Sequence, residues 1–268
     1  MTMGEPLLHM RLSIAYPGRQ VLESAELDVR AGEIVGLVGA SGGGKSSLAL
    51  AVLGLLDLKG GRASGSLWFQ GRSLIGLGER EMRRIRGREI AFVPQSPVSY
   101  LNPALRLVDQ MAEAVRAHRR LSRAEVQDEV RRAFEQVGLP GDREFLWRRP
   151  GEVSVGQAQR ALIAMAILHR PALLIADEPT SSLDLISQAE VLRLLARLNR
   201  EMGMAILYIS HDLLSIAGFC DRVAILHDGR VVEFRETEAV FEEPAHPYTK
   251  QLMSAVAGIS RLCSLSPK

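Results

Sequence analysis

The stretch that constrains this chain most is "EIVGLVGASGGGKSS", residues 33–47. An apolar run, Ile34 to Val38, leads into Gly39-Ala40-Ser41-Gly42-Gly43-Gly44-Lys45-Ser46, which fits G-x-x-x-x-G-K-[ST]. A strand, a glycine-rich loop and a helix starting near Lys45 are predicted in that order. Each residue type has a physical reason. Glycines let consecutive backbone N–H groups turn inward around phosphate oxygens. The helix start adds the positive end of its dipole. Lys45 supplies a mobile cation, and the Ser46 hydroxyl can ligate Mg²⁺. The stretch predicts a nucleoside triphosphate site inside an α/β fold.

The rest of the chain fits that frame. Residues 7 to 38 alternate short apolar runs with "PGRQ" and "RAGE" turns, which predicts a small antiparallel sheet. "GREIAFVPQ", "PALLIADEP" and "MAILYISHD" read as buried strands followed by helices, the signature of a mostly parallel sheet covered on both faces. "RVAILHDGRVVEF" reads as a hairpin through Asp228-Gly229. One domain is expected over 1–268, a core of about 1–95 and 169–268 with an antiparallel β subdomain and a helical subdomain at 96–168.

Composition narrows the partners. Net charge is +2 from 33 basic and 31 acidic residues, so no strong polyanion partner is implied. The arginines of "EREMRRIRGRE", and Arg116, Arg119, Arg120 and Arg123, are interleaved with glutamate rather than aromatics and read as solvated helix faces. No apolar run reaches the roughly 20 residues of a membrane span. The opening "MTMGEPLLHM" lacks the pattern of a signal peptide. Two cysteines, Cys220 and Cys263, make no disulfide framework. A cytosolic protein is expected.

Further polar residues stand at predicted strand ends, where ligands collect in open parallel sheets. Asp177 follows "LLIA" and suits a Mg²⁺ ligand; Glu178 beside it suits a general base. Such a pair can also simply cap the next helix. Gln95 ends one strand, where its amide can ligate Mg²⁺ or orient water, and His211 ends another, within reach of a γ-phosphate.

With these residues in place the sequence resembles the nucleotide-binding ATPase subunit of ABC transporters over essentially the whole chain. Gly39 to Ser46 matches Walker A, "LLIADE" Walker B, Gln95 the Q-loop, "SSLD" at Ser181–Asp184 the D-loop, and His211 the switch histidine. The resemblance implies ATP contacts from Gly39, Ser41, Gly42, Gly43, Gly44, Lys45, Ser46 and Ser47, with Tyr16 stacking on adenine. It implies Mg²⁺ on Ser46, Gln95 and Asp177, with Glu178, His211 and Gln95 serving hydrolysis. "VSVGQ", Val153 to Gln157, stands where the family usually has Leu-Ser-Gly-Gly-Gln. In the family this loop acts across a head-to-tail dimer, so Ser154, Gly156, Gln157 and Asp184 would serve the partner's ATP. Val155 departs from the pattern. Valine there is costly if the position needs positive φ, and only crowding if it is ordinary helix.

"PQSPVSYLNP" and "EEPAHPYTKQL" are similar to the oligopeptide, dipeptide and nickel branch of the importers. That likeness implies ATP-driven uptake of a peptide or metal complex and two membrane permease subunits. It also implies a second ATPase subunit, identical or different, a solute-binding protein outside, and no nucleic acid. The place implied is the cytoplasmic face of the cell membrane. The alternative is a non-transport ATPase of the same superfamily acting on a macromolecule; such proteins usually carry a second cassette or a coiled-coil insertion, and neither is evident. With only Cys263 in the tail, no cysteine-held metal cluster is expected.

Overall fold

A computed structural model describes residues 5–264. Expectations about the first four residues and about the Cys263 side chain lie outside the described residues. Contacts divide the chain into two units, Met1–Leu77 with Leu207–Lys268, and Gly78–Ile206. The described strands are β1 (Leu8–Tyr16), β2 (Arg19–Val29), β3 (Ile34–Gly39), β4 (Arg62–Phe69), β5 (Arg72–Ser73), β6 (Ile90–Val93), β7 (Leu173–Asp177), β8 (Ala205–Ser210), β9 (Arg222–His227) and β10 (Arg230–Glu236). The division falls inside β8.

The first unit is built on a mixed sheet. β1 pairs antiparallel with β2 on one side and β4 on the other. Leu8, Met10, Leu12 and Ile14 are fully buried at every second position, the period of a half-buried strand. The β4–β5 hairpin was not anticipated from the sequence. Its "RASGSLWF" carries a glycine, Gly65, in mid-strand. In the structure Gly65 has φ 113 and stands opposite Leu12, and a Cβ there would lie 2.2 Å from the Arg11 carbonyl. Glycine is what lets β4 approach. Every residue of β3 is buried, and β3 pairs parallel with β9 rather than joining the antiparallel part. β9 and β10 form the expected hairpin, with Asp228 and Gly229 both at positive φ (45° and 73°), as a tight primed turn requires.

In the second unit β6 and β7 pair parallel, Ile90 opposite Leu173 through Val93 opposite Ala176. The strand expected to run to Gln95 stops at Val93, because Pro94 has no N–H to continue the ladder. Helix Val155–Ile167 packs on β6, on helix Arg123–Gln136 and on the short turn Pro97–Tyr100. Helix Arg123–Gln136 starts on a reciprocal cap: the Glu125 N–H donates to Ser122 Oγ at 3.3 Å, and the Ser122 N–H donates to the Glu125 carboxylate at 2.8 Å. Helix Glu79–Ile85 buries Met82 and Ile85 and turns Arg83 and Arg84 to solvent, as its charge pattern predicts. Among the described residues no helix is long and apolar enough to cross a membrane.

Candidate active site

The first unit carries the phosphate loop. β3 ends at Gly39, a helix opens at Lys45 and runs to Val52, and the loop between them turns on two glycines of positive φ, Gly42 and Gly44. A Cβ on Gly39 would stand 2.5 Å from the Leu226 carbonyl of the paired strand, so the loop leaves the sheet at a point where no side chain fits. Lys45 is 5% exposed, and its Nζ donates to the Gly39 and Ala40 carbonyls at 2.8 and 3.0 Å. The ammonium is thus held over its own loop, where phosphate oxygens would meet it. Ser46 is exposed at the helix start. Tyr16, at the end of β1, is half-buried and its hydroxyl lies 3.0 Å from Ser47 Oγ. That bond ties the ring to the first turn of the loop helix. His211 follows β8 directly and is exposed.

The second unit carries the acidic strand end. Asp177 closes β7 and is 7% exposed. Glu178 follows in the left-handed region, φ 47, which a non-glycine residue adopts only at a cost of about 1–3 kcal/mol. Its carboxylate accepts a hydrogen bond from Gln95 Nε2 at 3.1 Å. This contact joins residues 83 positions apart, and nothing in the sequence announces it. The left-handed backbone and the Gln95 contact occur at the same residue.

The signature-like loop lies in the same unit. Ser154 has φ −68 and ψ 160 and caps helix Val155–Ile167; its Oγ accepts from the Gln157 N–H at 3.2 Å, and Gln157 Oε1 accepts from the Ser154 N–H at 3.0 Å. Val155 is the first helical residue and is not among the positive-φ positions, so valine carries no backbone strain here. Its side chain is 42% exposed. Of the two costs open from sequence, crowding remains and strain is removed.

Asp184 caps helix Leu185–Met202, accepting from the N–H groups of Ile186 and Ser187, both at 3.0 Å, and from Ser187 Oγ at 2.7 Å. These bonds, from Ser187 above all, hold its carboxyl below the usual range. Ser187 was missed in the sequence. Ser187 Oγ stands near Gly156, 3.8 Å from where a Cβ would sit, and only its place three residues after Asp184 hints at its role in holding that carboxylate.

A nucleotide loop on a parallel strand, an acidic strand end and a capped glycine-containing helix start define a class, the ATP-binding cassette ATPases. The solved dimeric structure of an ATP-binding cassette in a post-hydrolysis state, bound to ADP and Pi, is 25% identical with a TM-score of 0.72, over 86% of this chain and 98% of that one. A structure of cbiO1 from Clostridium perfringens shares the fold, with a TM-score of 0.79 at 24% identity over 98% and 100% of the two chains.

The chain belongs to the ABC transporter family, whose profile matches residues 22–181. A second profile, the oligopeptide/dipeptide transporter C-terminal region, matches residues 232–262. The oligopeptide transport ATP-binding protein OppD of Escherichia coli is 41% identical over 249 residues, 92% of this chain and 74% of its own. The glutathione import ATP-binding protein GsiA of Salmonella choleraesuis is 39% identical over 92% of this chain, which spans 41% of that longer protein. The chain is the ATP-hydrolysing subunit of an importer of this family.

Proposed function

We propose that this subunit drives uptake of peptide-type solutes by pairing with a second ATPase subunit beneath two membrane permeases, at the cytoplasmic face of the membrane. The relatives reported above are named for oligopeptides and glutathione, which favours a peptide over the nickel complexes also considered. The match at residues 232–262 to the oligopeptide/dipeptide transporter region supports the same branch. The segment 96–168 acts in this reading as a subdomain that passes motion from the Gln95 loop to a permease.

In each site Gly39 and Ser41 to Ser47 cradle the phosphates, Lys45 counters their charge, and Tyr16 stacks on adenine. Ser46, Asp177 and the Gln95 amide oxygen are hard oxygen donors that suit Mg²⁺. Among the described residues no three His, Cys, Asp or Glu gather into a metal cage. That fits an ion that keeps water and nucleotide oxygens as its other ligands. When bound it neutralises charge developing on the phosphates. Glu178 takes the proton of the attacking water, with Gln95 holding its carboxylate in position, and His211 braces the γ-phosphate. The hydrogen bond from Gln95 to Glu178 carries this reading, because it aims the proposed base.

Ser154, Gly156, Gln157 and Asp184 serve the partner's ATP, and loss of the γ-phosphate releases them so that the dimer reopens. Val155 crowds that partner site, and the pair is a heterodimer with unequal sites. Replacing Glu178 by Gln should abolish ATP turnover while leaving ATP binding intact; continued turnover would remove Glu178 from the role of base.

A further inference from the structure

A cleft of about 650 Å³ opens in the second unit, away from every residue assigned above. It lies at the other end of the β6–β7 pair. Arg88 precedes β6 and Arg170 precedes β7, whereas Gln95 and Asp177 stand past or at the opposite ends of those strands. Arg119 and Arg132 also line it, both bonded to Glu129, at 3.1 and 3.2 Å.

The plain explanation for these cations is that they cap helices. Three helices end here, with His118, Gln136 and Ile167 as their last residues. Each helix end carries about half a negative charge, together about −1.5. Four arginines face one glutamate in this lining, and the Gln136 carbonyl is already capped from outside it by Arg197 Nη2 at 2.6 Å, so the lining is net positive beyond what helix capping calls for. Capping does not consume the charge.

Two further observations point the same way. Arg170 has φ 51 and its N–H donates to the Ile167 carbonyl at 2.9 Å, a helix-ending position where glycine or asparagine is favoured. An arginine stands there against its backbone preference and lines the cleft. His118 and His169 meet edge to face at 4.9 Å on the same wall. Burial above all, then the charge of His169 and to a smaller extent that of Arg88, holds His118 below its ordinary pKa against a hydrogen bond to the Arg86 backbone that raises it.

We propose that this cleft binds a small organic polyanion through its carboxylate or phosphate groups, gripped by Arg88 and Arg170, with Arg119 and Arg132 turning to it from Glu129. Guanidinium forks match both oxyanions, and the exposed pairs to Glu129 are weak enough to be displaced. The cleft holds more than a single phosphate. Its wall at Ile167 is the end of the helix that opens at Ser154–Val155, roughly 20 Å away along the axis. A ligand here therefore touches the same rigid element as the signature-like loop. The inference does not depend on the roles proposed for the nucleotide residues.

The test is calorimetric titration of the full chain, saturated with ADP so that the phosphate loop is filled. Citrate and inorganic pyrophosphate are the probes, with sodium chloride of matched ionic strength as control. At least one probe should bind, citrate the tighter if the natural ligand is a carboxylate and pyrophosphate if it is a phosphate. Arg88→Gln and Arg170→Gly should each weaken binding about tenfold or more. Arg170→Gly also relieves the backbone, so its melting temperature should hold or rise while binding falls. Absence of heat from both probes, or binding unchanged by both substitutions, overturns the proposal.

Discussion

Glu233 is a carboxylate inside a strand, 6% exposed, and it offers a sharp test of how the matched C-terminal region is held. Burial alone would raise its pKa. It accepts instead from the backbone N–H of Ala245 at 3.0 Å and of His246 at 3.0 Å, and these, with smaller contributions from Thr249 and from Arg235 Nε at 3.1 Å, bring it down from 4.5 to about 2. The segment they fix, "AHPY", is also held by Tyr248, whose ring stacks on His227 at 3.7 Å and 10°.

A difference of about 2.5 in pKa, at about 1.36 kcal/mol for each, amounts to about 3 kcal/mol. Because the folded value is the lower one, this stability is complete well above 4.5 and is lost as pH falls from about 5 toward 2. Glu233→Gln should therefore unfold about 3 kcal/mol more easily at pH 7, a drop of roughly 6–12 °C in melting temperature. Exchange of the Ala245 and His246 amides should speed up in the variant. The gap between variant and wild type should close toward pH 2. Equal stability at pH 7, or a gap that persists unchanged down to pH 2, refutes the reasoning.

Other predictions follow from single contacts. Gly39→Ala places a methyl 2.5 Å from the Leu226 carbonyl, so ATP affinity should fall at least tenfold and stability by about 1–3 kcal/mol, read by nucleotide titration and denaturant unfolding. Val155→Gly lifts the crowding at the partner's site, so ATP turnover of the assembled complex should rise; equal rates sink the assignment of unequal sites. Glu178→Gly keeps the positive φ at no cost, so it should hold or raise stability while turnover disappears; intact turnover contradicts the role of the carboxylate.

Local chemistry made much of this fold legible. The phosphate loop, the apolar strands around it and the Asp228-Gly229 hairpin are written in short stretches, and periodicity and turn residues suffice to find them. What escaped depends on distant partners. β4 received no assignment from sequence, and its pairing depends on Gly65 lying against Arg11. The burial of Glu233 is set by amides 12 and 13 residues further on. For the candidate site, residue types gave the names but not the arrangement. The left-handed turn at Glu178, its bond to Gln95 and the helical backbone of Val155 each needed coordinates, since φ and side-chain direction are tertiary facts.

The most direct test of the account is to purify the tagged chain from detergent-solubilised native membranes and identify its companions. The account predicts two permease-type membrane proteins and a second, different ATPase, with ATP turnover that responds to the complete assembly. Permeases with no second ATPase would contradict the unequal pair, and recovery without any membrane protein would contradict the transport role itself.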